Sequence, residues 1–310
     1  MCQLLAMNSN TPTDIVFSFL GFRRRGGLTD KHSDGFGIAF FENKGVRIFQ
    51  DNNACANSPV ADLIAAYPIR SENIIAHIRK ATQGDISLQN TQPFMRELWG
   101  RYFLFAHNGN LLNFDANGIK NNKEEQGNFY QTVGDTDSEK AFCFILENLR
   151  RKYKAAPDND TLFREISALV KELRKYGLFN FIMSNGEWLF VHCHSLLHYI
   201  IREYPFGKAH LSDDDLEVDF SQVTSKEDKV AVIATLPLTD DEKWTQLAVG
   251  EILVFSKGKV IFRDVPNNLH YPRRVCTVES AWAVDEFFEF LDQLFVFALF
   301  FIIFFFIFCR

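Results

Sequence analysis

The chain has 310 residues, 47% of them apolar and 23% charged, which is ordinary globular usage and enough length to bury a core without disulfide or metal staples. Its 33 basic and 39 acidic side chains leave a net charge of −6, and the one basic run, Arg23-Arg24-Arg25, is too short for phosphate recognition, which excludes a nucleic-acid partner. Six cysteines, Cys2, Cys55, Cys143, Cys193, Cys276 and Cys309, form no C-x-x-C pair, and the N-terminus lacks a basic and apolar leader; a reduced, cytoplasmic setting is the expectation.

In chain order, residues 2–8 predict a short strand. Residues 14–22 predict a short helix, with Thr13 or Asp14 as its cap. The loop with Arg23 to Arg25 and Gly26-Gly27 reads as solvated. Residues 34–41 read as a Gly-loosened strand, followed by a turn at Asn43-Lys44-Gly45 and a second strand at 46–50. Further strands are expected at 73–78, 102–107, 179–183, 187–192, 197–202, 229–235, 251–255 and 259–263. Helices are expected at 59–67, 137–152 and 161–176, the last two with apolar residues at helical spacing. The acidic cluster from Asp213 to Asp219 reads as a solvated turn without calcium-loop spacing. Many strands in hairpins with a few central helices predict an α+β protein of antiparallel sheets rather than a doubly wound parallel one.

Cys2 follows the initiator methionine. With Met1 removed, its thiol and α-amine would share one residue, and an amine of pKa about 7.7–8.0 can take the thiol proton near neutral pH. Arg79 ends a predicted strand in Ala76-His77-Ile78-Arg79-Lys80-Ala81-Thr82-Gln83-Gly84 and offers a planar fork suited to a carboxylate. In His107-Asn108-Gly109, an amide N–H and a backbone N–H can converge as an oxyanion hole, or form a plain hairpin turn. In Gly134-Asp135-Thr136-Asp137-Ser138-Glu139, Asp135 or Thr136 can cap a helix, and Asp137 can pair with an ammonium group. His32-Ser33-Asp34 is no triad, because triad members converge from separate parts of a fold. His192-Cys193-His194 with His198 has metal-like residue types, but no second cluster completes a site, and the segment reads as a half-exposed strand.

These segments occur together, and in order, in a known family. Cys2, Asp34-Gly35-x-Gly37-Ile38-Ala39, Ala76-His77-x-Arg79-x-x-Thr82-x-Gly84, Pro93-Phe94, His107-Asn108-Gly109 and Asp135-Thr136-Asp137-Ser138-Glu139 make the chain resemble the class II glutamine amidotransferases, in particular their short stand-alone branch. The branch is also matched at Arg96 to Arg101, Pro205-Phe206-Gly207 and Ala234-Thr235-x-Pro237-Leu238-Thr239. The resemblance implies a four-layer αββα sandwich of the N-terminal-nucleophile type over residues 2–265. It implies that Cys2 attacks the side-chain amide of glutamine, with Asn108 and Gly109 holding the oxyanion. Arg79 would bind the α-carboxylate and Asp137 the α-ammonium, with Thr82 nearby. Neither cofactor nor metal is implied. The partners would be glutamine or another γ-glutamyl substrate, and a separate synthase that accepts the ammonia. Gln92 stands where related chains often have His. The alternatives are a γ-glutamyl hydrolase for a larger compound, and a non-catalytic, membrane-tethered binding protein.

Residues 266–310 lie outside the resemblance. Leu294 to Cys309 is an apolar run of 16 residues, half of them Phe, slightly short of the roughly 17–25 that span a membrane. The tail reads as an extension, with an anchor at 294–309 as the alternative. It also explains an odd composition: 11 of the 33 Phe fall in the last 30 residues.

Overall fold

A computed structural model describes residues 2–114, 129–266 and 275–276. In chain order the elements are β1 (Gln3–Thr13), α1 (Val16–Arg24), β2 (Phe36–Glu42), β3 (Gly45–Asp51), α2 (Pro59–Ala66), β4 (Ser71–Ile78), β5 (Phe94–Leu98), β6 (Arg101–Leu111), α3 (Asp137–Lys152), α4 (Asn159–Leu173), β7 (Gly177–Ser184), β8 (Leu189–His192), β9 (His198–Glu203), β10 (Lys208–His210), β11 (Glu217–Asp219), β12 (Lys229–Ala234), β13 (Trp244–Gln246), β14 (Ile252–Ser256), β15 (Lys259–Asp264) and β16 (Val275–Cys276).

Strand β1 shows why the layers form. Successive side chains of a strand point to opposite faces, and here both faces are apolar. Leu5 and Met7 pack with Phe19 and Phe22 of α1 and Ile64 of α2. Leu4 and Ala6 pack with Leu104 and Ala106 of β6 and Ile182 of β7. A strand apolar on both faces has to be covered on both. The first sheet, ordered β16-β13-β9-β12-β1-β4-β2-β3, therefore has helices outside and the second sheet inside. The second sheet, β15-β14-β8-β7-β6-β5, buries its outer face under α3 and α4. All pairings among the described strands are antiparallel. The result is the expected α+β sandwich, layered αββα.

Much of the Phe content of the body lies under α3 and α4. Phe105 of β6 stacks on Phe142 of α3 with centroids 5.1 Å apart and planes within 7°. Phe181 of β7 stacks on Phe105 from the neighbouring strand at 5.3 Å. Each such fully buried ring contributes about 1.5–3 kcal/mol. These contacts clamp α3 to β6, the two elements that carry Asn108, Gly109 and Asp137.

Several local expectations shift. The segment His107-Asn108-Gly109 lies within β6, not in a hairpin turn. Helix α1 has no side-chain cap at Ile15, although Asp14 accepts the Val16 N–H at 3.2 Å. Thr136, not Asp135, caps α3 by accepting the Glu139 N–H. The acidic cluster is not simply a solvated turn: Glu217–Asp219 is β11, paired with β10, and Asp213 is buried. Its partner is Arg25, also buried, from the loop read as solvated; their side chains are 2% and 1% exposed at 2.7 Å. His192 and Cys193 are fully buried rather than half-exposed, because β8 is an interior strand between β7 and β14. Among the described residues, no helix is long and apolar enough to cross a membrane. The run at 294–309 lies outside the described residues.

Candidate active site

Cys2 immediately precedes β1, a central strand flanked by β4 and β12. Gln3 pairs with Ile78, so the chain leaving β4 passes alongside Cys2. The Lys80 N–H donates to the Cys2 Sγ at 3.3 Å, and the thiol faces the Lys80 carbonyl at 3.4 Å. The Asp34-Gly35 pair holds that passing segment in place. Arg79 N–H donates to Gly35 O at 2.8 Å, Asp34 N–H to Arg79 O at 3.1 Å, and Ala81 N–H to Asp34 Oδ2 at 2.7 Å. Gly35 has φ +111, a backbone region that favours glycine.

Arg79 is buried, and its fork gathers the following loop. It donates to the carbonyls of Asp85 at 2.9 Å, Gln83 at 3.0 Å and Gly84 at 3.1 Å. Asn90 ties this loop to the start of α3, donating to Asp135 Oδ1 at 2.6 Å and accepting from Asp135 N–H at 3.1 Å. The junction leaves no room for side chains on the facing glycines. A Cβ on Gly134 would lie 2.1 Å from Asn90 Oδ1, and one on Gly84 2.4 Å from Asp135 Oδ1.

Asp137 is the first residue of α3, where the helix dipole favours an anion. It is buried, and its Oδ2 accepts the Leu111 N–H of β6 at 2.7 Å. Four residues earlier on β6, the His107 N–H donates to Gln92 Oε1 at 2.6 Å. Successive N–H groups of an antiparallel strand alternate between its two edges. The Gly109 N–H, midway between those two, therefore points to the same edge, beyond the end of β5. Gly109 tolerates no side chain: a Cβ would lie 1.9 Å from Leu178 O.

Asn108 faces the gap between the sheets. Its Nδ2 donates to the carbonyl of Cys2. Its own carbonyl is held by Asn180 Nδ2 at 3.1 Å, and Asn180 is in turn fixed by Ser195 Oγ at 2.8 Å and the His194 and Ser195 N–H groups. One recess is lined by Cys2, Arg79, Lys80, Thr82, Gln83, Gln92, His107, Gly109, Thr136, Asp137 and Ser138. Five of the six residues expected at the site thus line it, and Asn108 stands directly behind Cys2. Thr82 is exposed at its rim.

Burial pushes the Cys2 thiol above its ordinary 9.0, partly offset by the Lys80 hydrogen bond and the charge of Arg79, while Asp137 adds to the rise. A proton acceptor is therefore needed to make a thiolate at neutral pH. His107 does not fill that role. Its Nε2 lies 3.1 Å from the Leu178 carbonyl and its Nδ1 2.8 Å from Ser138 Oγ. A carbonyl only accepts, so Nε2 carries the proton and Ser138 donates to Nδ1. Burial also lowers the affinity of this ring for a second proton.

His107 and Ser138 were not assigned to the lining from sequence, although each adjoins a residue that was. The side-chain oxygen of Gln92, which stands where related chains often have His, is spent on the β6 backbone. The His192-Cys193-His194 group is likewise spent on the fold: His192 Nδ1 meets Phe179 O at 2.6 Å, His194 Nδ1 accepts from Phe179 N–H at 3.2 Å, and His198 Nδ1 meets Thr235 O at 2.8 Å. Burial lowers these rings to about 3, 4 and 4 respectively. Among the described residues, no group of three or more His, Cys, Asp or Glu is placed to hold a metal.

The sequence matches the family described as class-II glutamine amidotransferases over residues 1–274. It is 54% identical over 261 residues to a Haemophilus influenzae protein named as a candidate glutamine amidotransferase, covering 84% of this chain and 86% of that one. It is 47% identical over 260 residues to Escherichia coli YafJ, named in the same way, covering 84% and 99%. The crystal structure of a predicted glutamine amidotransferase from Pseudomonas aeruginosa matches with a TM-score of 0.66 at 43% identity, over 84% of this chain and 100% of that one. A Bacillus subtilis glutamine phosphoribosylpyrophosphate amidotransferase shares the fold, with a TM-score of 0.54 at 16% identity over 85% of this chain and 49% of that one.

Proposed function

The chain belongs to the class II glutamine amidotransferases, and on that footing we propose that it hydrolyses the side-chain amide of glutamine through a thioester on Cys2. Removal of Met1 frees the Cys2 α-amine, which takes the thiol proton. The thiolate adds to the amide carbon, and the carbonyl electrons move onto oxygen. Asn108 Nδ2 and the Gly109 N–H donate to that oxyanion. The tetrahedral adduct collapses, the C–N bond breaks, and ammonia leaves with the proton held by the α-ammonium. Water then adds to the thioester with the α-amine as base, and glutamate is released with the thiol restored.

Arg79 takes the α-carboxylate of glutamine and Asp137 its α-ammonium, with Thr82 at the rim. One cation, one anion and two neutral donors around a nucleophile complement a zwitterion that carries a neutral amide. The observation that carries this reading is the Asn108 amide on the Cys2 carbonyl, with the Gly109 N–H on the open edge of the same strand. The catalytic unit is residues 2–265, with 266–310 an extension; the Val275–Cys276 rung on β13 carries the backbone past that boundary. The described elements build the sandwich, and a separate synthase is proposed as the ammonia acceptor.

The test joins intact mass, labelling and turnover. The expected result is a mature chain lacking Met1, one equivalent of 6-diazo-5-oxonorleucine bound at Cys2, and ammonia release abolished by Cys2→Ala. Retention of Met1 in the active protein, or full activity of Cys2→Ala, would sink the proposal. Cleavage of γ-glutamyl peptides in preference to glutamine would replace the substrate while keeping the nucleophile.

A further inference from the structure

Thr235 lies immediately after β12 and is 1% exposed. Its surroundings fix its backbone from every side. Its N–H donates to Leu4 O at 3.1 Å, and its carbonyl is met by His198 Nδ1 at 2.8 Å. The next two carbonyls, Leu236 and Pro237, are both taken by Arg25, at 3.0 and 2.6 Å. Arg25 is itself locked by Asp213, with Nε on Oδ2 at 2.8 Å. A residue held this firmly presents its side chain at a defined point.

That side chain is a hydroxyl shared by the two halves of the site. Thr235 Oγ1 accepts the Leu4 N–H of β1 at 2.9 Å. The Asn108 amide lies 3.5 Å from the same oxygen while donating to Cys2 O. One oxygen therefore ties the strand that carries the nucleophile, in the first sheet, to the oxyanion donor, in the second. Most rungs between β1 and β12 are backbone to backbone; at the last rung before Cys2 a side chain replaces the carbonyl.

We propose that Thr235 is a positioning residue for the hydrolysis: Cys2 O keeps one Asn108 N–H, and the Thr235 hydroxyl, 3.5 Å away, orients the second N–H loosely, so that it can turn to the developing oxyanion. The inference rests on the reading of Cys2 and Asn108 given above. Valine at this position keeps the shape and removes the hydroxyl. The Leu4 N–H then loses its acceptor, and the Asn108 amide keeps one anchor of two. Substrate contacts at Arg79 and Asp137 are untouched, so ground-state binding is preserved while the transition state loses a well-placed donor.

The test compares Thr235→Val, Thr235→Ala and Thr235→Ser with the parent enzyme in ammonia release and in inhibition by glutamate γ-semialdehyde. This aldehyde adds the Cys2 thiol to give a tetrahedral hemithioacetal, so its affinity reports the oxyanion site. Expected for Thr235→Val and Thr235→Ala are a kcat lowered about 10- to 100-fold, aldehyde affinity lowered by the same factor, and KM for glutamine within about twofold. Thr235→Ser keeps near-parental values. In an Asn108→Ala background, Thr235→Val costs nothing further. Undiminished kcat and aldehyde affinity in Thr235→Val or Thr235→Ala would overturn the proposal, as would a full additional loss in the Asn108→Ala background. If Thr235→Val does not fold, Thr235→Ala decides. Failure of the underlying reading is recognised separately, by a Cys2→Ala enzyme that still turns over.

Discussion

The side-chain amide of Asn108, on β6, donates to the backbone carbonyl of Cys2, which immediately precedes β1 of the other sheet and lies 106 positions away in sequence. The contact holds a neutral donor on the backbone of the residue that carries the thiol, without adding charge there. If Asn108 holds the oxyanion as proposed, Asn108→Ala is expected to lower kcat for glutamine by about 10²–10³ with a small change in KM, since that charge exists only in the transition state. Steady-state ammonia release checks it.

Gly109→Ala tests the second donor through sterics. The new methyl would sit 1.9 Å from Leu178 O and 2.7 Å from His107 Nε2, so β6 must move away from β7. The expected cost is about 1–3 kcal/mol of stability, read as a lower urea midpoint. Activity is expected to fall further than stability, because the displaced segment carries the proposed donor.

Arg79→Lys keeps the charge and loses the fork. A lysine has its donors on one nitrogen, without the planar spread by which two guanidinium nitrogens reach the carbonyls of Gln83, Gly84 and Asp85, and it cannot grip a carboxylate in bidentate fashion. A KM for glutamine raised about tenfold or more is expected, with a smaller change in kcat. Kinetics with glutamine and with an analogue lacking the α-carboxylate separate the two effects: the analogue is expected to lose little.

Burial lifts the Cys2 thiol above its ordinary 9.0. In a chain blocked by an N-terminal extension, the thiol is protonated at neutral pH. Its alkylation by iodoacetamide then rises about tenfold per pH unit toward a pKa above 9. On the proposed mechanism the α-amine of the mature enzyme takes the proton, and turnover is expected to rise through the amine range near about 8. A pH profile of both forms checks the sign: the extended form must show the higher inflection.

Asp213→Asn removes one charge from a pair whose side chains are 1% and 2% exposed. The guanidinium of Arg25 is left buried and uncompensated, which typically costs about 3–5 kcal/mol. Lys152 and Glu165 form a pair with side chains 57% and 27% exposed, where Glu165→Gln is expected to cost at most about 1 kcal/mol. Urea denaturation of both variants makes the comparison.

Elements with a regular apolar period were readable in advance. Helix α3 runs over 137–152 as expected, because its apolar spacing and its cap agree. The short strands β5, β10, β11 and β13 were not, because three to five residues carry too little period to distinguish from loop. Arg25 and Asp213 misled for a related reason. A charged residue in a turn reads as solvated unless its partner is known, and here the partner is 188 positions away.

The sequence by itself determined the chemistry available. A cysteine after the initiator methionine, an arginine ending a strand, an Asn-Gly pair and an acid at a helix start are local facts, and their order pointed to the family. Only the tertiary structure decided how they act together. The alternation of β6 turns Gly109 toward the recess edge and Asn108 into the gap between sheets, and the antiparallel register brings Lys80 to the Cys2 thiol. These relations depend on which strands pair and which faces are buried. That is set by closing two sheets on one another, a long-range packing choice that no single segment encodes.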